Sequence, residues 1–184
     1  MSIKSFERRI SAAILTVCLG VTAFSGPASA IVDEVRGGIY AHEPFRSGHG
    51  EGDHADVNLE VVFETPSFLA WAWNPRPRLG ATLSSGDRTS LVYLDVLGWT
   101  VDLTDAIFVD VGLGGAIHDG DLKGNAPSTL YFGCRANFHQ SGSIGYRITP
   151  QLSLMASVEH MSNASLCSMN DGLTNAGVRL GYSF

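Results

Sequence analysis

A chain of 184 residues with a formal net charge of -6 fits one packed domain, and its acidity disfavours polyanion partners such as nucleic acid. Beyond residue 30, no stretch is long and apolar enough to cross a membrane as a helix. The apolar residues there alternate instead of recurring at helical spacing.

Residues 1–30 read as a secretory signal peptide, and residues 31–184 as a single domain. Lys4, Arg8 and Arg9 form a basic start, Ile10 to Phe24 is an apolar run, and Ala28-Ser29-Ala30 supplies small residues for cleavage after Ala30. Val17 before Cys18 does not fit a lipid-anchor signal, which wants a small residue there. Loss of the segment takes away three bases and one acid and moves the formal charge to about -8. Two cysteines remain, Cys134 and Cys167; in an oxidising compartment they either pair or stay as free thiols, and the sequence leaves both open.

Eight strands are expected near residues 33–42, 54–64, 76–84, 90–102, 106–117, 131–148, 151–162 and 173–184. In the second, Val57, Leu59, Val61 and Phe63 share one face, and Asp56, Asn58 and Glu60 share the other, with Val62 out of pattern. In the seventh, Leu152, Leu154, Ala156 and Val158 alternate with Ser153, Ser157 and Glu159, with Met155 out of pattern. Connections near Thr104 and Pro150 are short, whereas 43–53, 118–130 and 163–172 are longer and polar. Residues 65–75, with Trp71, Trp73 and Pro75, fit neither kind. Short turns at one end, long loops at the other and a terminal Phe184 on an alternating strand point to an all-β, eight-stranded antiparallel outer-membrane β-barrel. The rival is a soluble sandwich or lipocalin-like barrel with the apolar face inward; periodicity alone cannot separate them. Acids and glycines on the polar faces suit a hydrated lumen and favour the membrane reading.

Several other features read as structural. His42, Glu43, His49, Glu51, Asp53 and His54 match no metal-site spacing and read as a solvated loop, so no metal is assigned. Gly112-Leu113-Gly114-Gly115 lies within a strand pattern, where glycines serve curvature or close packing. Trp71, Trp73, Trp99 and Tyr182 read as core or membrane-interface aromatics.

The chemistry-bearing segment is Glu159-His160-Met161-Ser162-Asn163-Ala164, followed by Asn170-Asp171-Gly172. His160 and Ser162, two apart on a strand, share a face with Cα atoms roughly 7 Å apart, which suits a serine hydroxyl activated by an imidazole. They also share parity with Leu154 and Val158, so a lipid-facing apolar face carries them outward, toward a substrate embedded beside the barrel. This run, with its closing strand to Phe184, resembles the C-terminal signature of the lipid A 3-O-deacylase (PagL) family. The resemblance implies an outer-membrane serine esterase that removes the 3-O-linked acyl chain of lipid A in lipopolysaccharide. It implies Ser162 as nucleophile, His160 as general base and then acid, and Asn163 and Asn170 as oxyanion or orienting groups. The family's His-orienting Glu falls at Thr174, which is neutral; Asp171 from the loop, or Glu159 through a bulge, are the acids left for that role. Such chemistry needs no cofactor; its partners are lipid A and outer-membrane lipid. The alternative is a non-catalytic barrel with a structural or adhesive role. Oligomeric state is not legible.

Overall fold

The structure, a computed structural model, describes residues 32–46, 50–52 and 54–184. The proposed signal peptide, its cleavage point after Ala30, and His49 and Asp53 lie outside the described residues.

Eight strands follow in order: β1 (Val32–His42), β2 (Ala55–Phe63), β3 (Arg78–Ser84), β4 (Leu91–Asp102), β5 (Ile107–His118), β6 (Ala136–Arg147), β7 (Leu152–Ser162) and β8 (Leu173–Ser183). Each pairs with its sequence neighbour, and β8 pairs antiparallel with β1, so the sheet closes and leaves no edge. The β1–β2, β3–β4, β5–β6 and β7–β8 connections gather at one end, which we call the loop end. Val32, Ser183 and the other three connections gather at the opposite rim.

The alternation expected from sequence is present, and its sense is inverted relative to a soluble protein. On β2, Asp56, Asn58 and Glu60 are buried, whereas Val57 and Leu59 are exposed. On β7, Ser153, Ser157 and Glu159 are buried, whereas Leu154 and Val158 are exposed. Burying acids while exposing aliphatics is unfavourable in water and favourable in lipid, which excludes the lipocalin-like reading. The lumen is filled by a charge network. Arg36 meets Glu34 at 2.8 Å and both Glu60 and Asp110 at 3.0 Å, Arg78 meets Asp110 at 2.6 Å, and Arg179 meets Glu60 at 3.2 Å. Each guanidinium finds carboxylates, so buried charge is compensated where it stands.

Two boundaries differ from expectation. β6 starts at Ala136 and not near 131, because Leu130 and Phe132 turn into the barrel mouth and pack with Leu91, Tyr93, Met161 and Leu173. Gly133, at φ +70°, makes the reversal behind this plug. β3 starts at Arg78 and not at 76, and Ser67–Ala72 forms a 3-10 turn in the stretch that fitted neither loop type. The glycine-rich run on β5 serves close approach: at Gly114 an added Cβ would strike the Leu94 carbonyl and Asp95, where a register shift falls between Leu94 and Leu97.

The lipid-facing wall has a depth-graded test. Ala156 lies near the middle of β7, between Ile144 and Val178 on the neighbouring strands. Ala156→Arg is expected to cost about 2–4 kcal/mol of folding free energy, and Leu154→Arg, one step nearer the rim, less. Urea titration of the folded barrel in vesicles measures both. Equal costs, or none, would contradict a membrane-embedded wall.

Candidate active site

The β7–β8 hairpin builds the site. The ladder sets His160 opposite Thr174 on β8 and opposite Gln140 on β6, while Ser162, the last residue of β7, stands opposite Phe138. All five occupy outward-facing positions, in register with the exposed Val158, Ile144 and Val178. His160, Ser162 and Thr174 are half-buried at the loop end of the wall, and Gln140 and Phe138 are exposed beside them.

His160 is held at one nitrogen. Its Nδ1 lies 2.8 Å from Thr174 Oγ1. The tautomer with the proton on Nδ1 donates to that oxygen and leaves Nε2 as a proton acceptor, the state a general base requires. Among the described residues, Ser162 Oγ makes no direct hydrogen bond to His160, although both lie on one face of β7. Gly172 packs against the imidazole edge: a Cβ there would lie 2.6 Å from Cε1 and 3.1 Å from Nε2. Arg46, from the β1–β2 connection, donates from Nη2 to the Gly172 carbonyl at 2.7 Å and pairs through Nε with Glu43 at 2.8 Å.

The two asparagines differ. Asn163 is buried, and its Nδ2 donates to the Phe132 carbonyl at 2.5 Å and to the Met169 carbonyl at 2.6 Å. Its backbone N–H donates to Asn170 Oδ1 at 2.8 Å. Asn163 is thus a latch between the plug and the β7–β8 connection, with both donor groups engaged. Asn170 accepts through Oδ1, and its exposed Nδ2 makes only a long 3.4 Å contact with Ser165 Oγ, so this amide is the freer donor near the site. The Cys134–Cys167 disulfide, with Cα atoms 5.9 Å apart, ties the same two connections together and settles the open pairing.

Neither nearby acid hydrogen-bonds to His160. Asp171 Oδ2 accepts from the Tyr131 N–H at 3.0 Å, and its own N–H donates to the Tyr131 carbonyl at 3.1 Å. Glu159 faces the lumen, accepting from Thr82 Oγ1 and from Asn175 Nδ2 at 3.0 Å each. β7 carries no bulge that would turn it outward, and its ladders to β6 and β8 are continuous.

Three neighbours of the pair, Gln140, Gly172 and Arg46, did not figure in the sequence reading as site residues. Gln140 had a signal: it is a polar residue on the outward parity of Phe138, Ile144 and Tyr146. Arg46 depends on a contact across the barrel mouth and carries no local signal, whereas Gly172, next to Asp171 in the chemistry-bearing segment, meets His160 inside the β7–β8 hairpin. The reading of His42, Glu43 and Glu51 as a solvated loop is corrected, because all three are buried. His42 bridges Asp56 at 2.7 Å and Glu51 at 3.0 Å, and Glu51 also accepts from the Thr89 N–H and hydroxyl at 2.6 and 2.8 Å. Burial would raise the Glu51 pKa, yet the bonds from His42 and Thr89 outweigh it and hold this carboxyl below its ordinary range. Local polarity suggested water; the partners across the barrel supply the bonds instead. Among the described residues, no group of three His, Cys, Asp or Glu is arranged to hold a metal.

The Gly172 contact yields a prediction. Gly172→Ala is expected to displace the imidazole and lower ester hydrolysis by about 10²-fold, the scale of an ångström-sized misplacement, with the barrel still folded. Turnover and folded fraction, measured on one sample, check it; unchanged turnover would show that the imidazole position is not critical.

Comparison with known proteins places this geometry. The family pattern described as lipid A 3-O-deacylase (PagL) matches residues 56–183. No curated protein matches in sequence. Among solved structures, the crystal structure of the outer membrane enzyme PagL superposes with a TM-score of 0.62 at 18% identity, covering 82% of this chain and 99% of that one. A de novo designed transmembrane β-barrel (TM-score 0.52, 11% identity, 84% and 96% covered) is also similar. So is the N-terminal β-barrel domain of Pseudomonas aeruginosa OprF (TM-score 0.52, 10% identity, 84% and 99% covered). The structural likenesses show the outer-membrane barrel fold. The family pattern spans well over half of the sequence, including β7, its loop and β8, and the chain therefore belongs to the lipid A 3-O-deacylase (PagL) family.

Proposed function

We propose that Ser162 and His160 carry the family's reaction, hydrolysis of the ester that joins an acyl chain to position 3 of lipid A. The observation that carries this reading is the His160 Nδ1 contact to Thr174 across the outward face of the β7–β8 hairpin, which leaves Nε2 as the ring nitrogen that can accept a proton. Ser162 Oγ attacks the ester carbonyl as its proton passes to His160 Nε2. The tetrahedral oxyanion accepts hydrogen bonds from nearby amide donors, with Asn170 Nδ2 the freer side-chain candidate. Collapse breaks the acyl–oxygen bond, and His160 returns the proton to the departing 3-hydroxyl. Water, deprotonated by His160, then cleaves the acyl-enzyme and releases a fatty acid, restoring Ser162.

Depth supports the assignment. From Leu152 to Ser162 are ten residue steps of about 3.3 Å, and a strand tilt of about 40° reduces that to about 25 Å along the membrane normal. That equals the height of a barrel's apolar band. With the long connections facing out of the cell, as in outer-membrane barrels, Ser162 meets the outer leaflet at the level of the acyl esters of lipopolysaccharide. Residues 1–30 are proposed as the cleaved export signal and residues 31–184 as the barrel domain.

The neutral Thr174 and the lack of a direct Ser162–His160 hydrogen bond are what favour a non-catalytic barrel. Mass spectrometry of lipid A from cells expressing the chain separates the two. Loss of one ester-linked hydroxyacyl group, absent with Ser162→Ala, is the expected result. Unmodified lipid A beside a correctly assembled barrel would overturn the enzymatic reading.

A further inference from the structure

The β2–β3 connection is unlike the other turns at its rim. The β4–β5 and β6–β7 connections are four residues each, 103–106 and 148–151, whereas this one runs from 64 to 77. Residues 65–75 contain no charged side chain. Within them, Phe68, Trp71 and Trp73 are 73%, 82% and 86% exposed, while Leu69 and Ala72 are buried. Three large exposed aromatics within a short turn, with no charge among them, are unfavourable against water.

The turn's position says what covers them. After the register shift on β4, Leu97, Trp99 and Val101 pair with Leu113, Val111 and Val109, which puts Trp99 on the outward, lipid-facing parity. Trp99 Nε1–H donates to the Ala72 carbonyl at 2.9 Å, so the 3-10 turn lies against the outer wall of the barrel and does not hang free below it. Trp73 and Asn74, both at positive φ (60° and 53°), then reverse the chain. Arg76 returns inward to pair with Asp33 and with Glu34 at 3.3 Å. Leu69 and Ala72 form the inner side of the turn, and Phe68, Trp71 and Trp73 extend the apolar wall sideways at its rim. Indole and phenyl rings at the boundary between acyl chains and headgroups are favourable in this setting, because the ring is buried while the indole N–H stays hydrated.

The geometry points to Phe68–Trp73 as an in-plane anchor seated in the headgroup–acyl boundary of the phospholipid leaflet at the rim opposite Ser162. This role is separate from catalysis. It pins the far end of the barrel, and with it the depth at which the loop end meets the other leaflet.

Tryptophan fluorescence in phospholipid vesicles tests it, because the chain has only three tryptophans, Trp71, Trp73 and Trp99. The difference between the unaltered protein and Trp71→Phe/Trp73→Phe isolates the two turn indoles and leaves Trp99 in place to hold Ala72. Bromine placed near the headgroup end of the acyl chains is expected to quench that component by about half or more, and bromine near the chain ends distinctly less. Quenching by aqueous iodide without bromine quenching would mean a water-exposed turn and would overturn the anchor. Protection from both quenchers would mean a protein surface, such as a second copy, covers the turn and would overturn it equally.

Discussion

Ser162→Ala is expected to lower lipid A deacylation by on the order of 10⁴-fold or more while the barrel stays folded, and His160→Ala is expected to do the same. Both side chains stand on the outer wall and take no part in the lumen ion pairs that pack the barrel, so the fold is expected to survive their loss. The two act as one unit, so the double variant should be no slower than either single one; independent contributions would instead multiply. The measurement is release of hydroxy fatty acid from lipid A in mixed micelles, beside a heat-modifiability gel reporting the folded fraction. A fluorophosphonate label should mark the unaltered protein and spare Ser162→Ala. Full turnover by folded Ser162→Ala would sink the serine mechanism.

Thr174→Glu is expected to raise the deacylation rate by on the order of 10-fold or more. Loss of charge at the third position of a serine triad costs about 10⁴-fold, but much of that loss follows from the wrong imidazole tautomer. Here the Thr174 hydroxyl, 2.8 Å from Nδ1, already holds the ring, so what a carboxylate adds is stabilisation of the imidazolium formed during attack. The β7–β8 ladder puts residue 174 directly opposite His160, so the new side chain starts from the right place. Asp171→Asn is the companion variant and should leave the rate unchanged, since an amide oxygen can still accept from the Tyr131 N–H. A fall in Asp171→Asn with no gain in Thr174→Glu would assign imidazolium stabilisation to Asp171 acting through the loop.

The outer face of β7 was legible because it obeys a local rule: Leu154, Ala156, Val158, His160 and Ser162 are spaced by two, and a ladder keeps that parity. The hairpin back to Thr174 is equally local. What escaped reading depends on partners distant in sequence. Tyr131 and Phe132 look like the start of a strand; Phe132 instead joins Leu130 in a plug because Leu91, Met161 and Leu173 offer them an apolar mouth. Asn163 looks like an oxyanion donor beside a nucleophile, yet it is spent on carbonyls of Phe132 and Met169. His42 and Glu51 look like loop polarity until Asp56 and Thr89 close around them.

A reaction on the outward face, as proposed for Ser162 and His160, changes what concentration means for this enzyme. Salt-bridged side chains occupy the lumen, and the proposed pair His160 and Ser162 stands on outward-facing positions, so a reaction there draws substrate from within a leaflet. Turnover then follows the surface density of lipid A around the barrel and not its amount per volume. At a fixed quantity of enzyme and lipid, adding inert detergent slows the reaction by dilution in two dimensions, without any inhibitor touching the site.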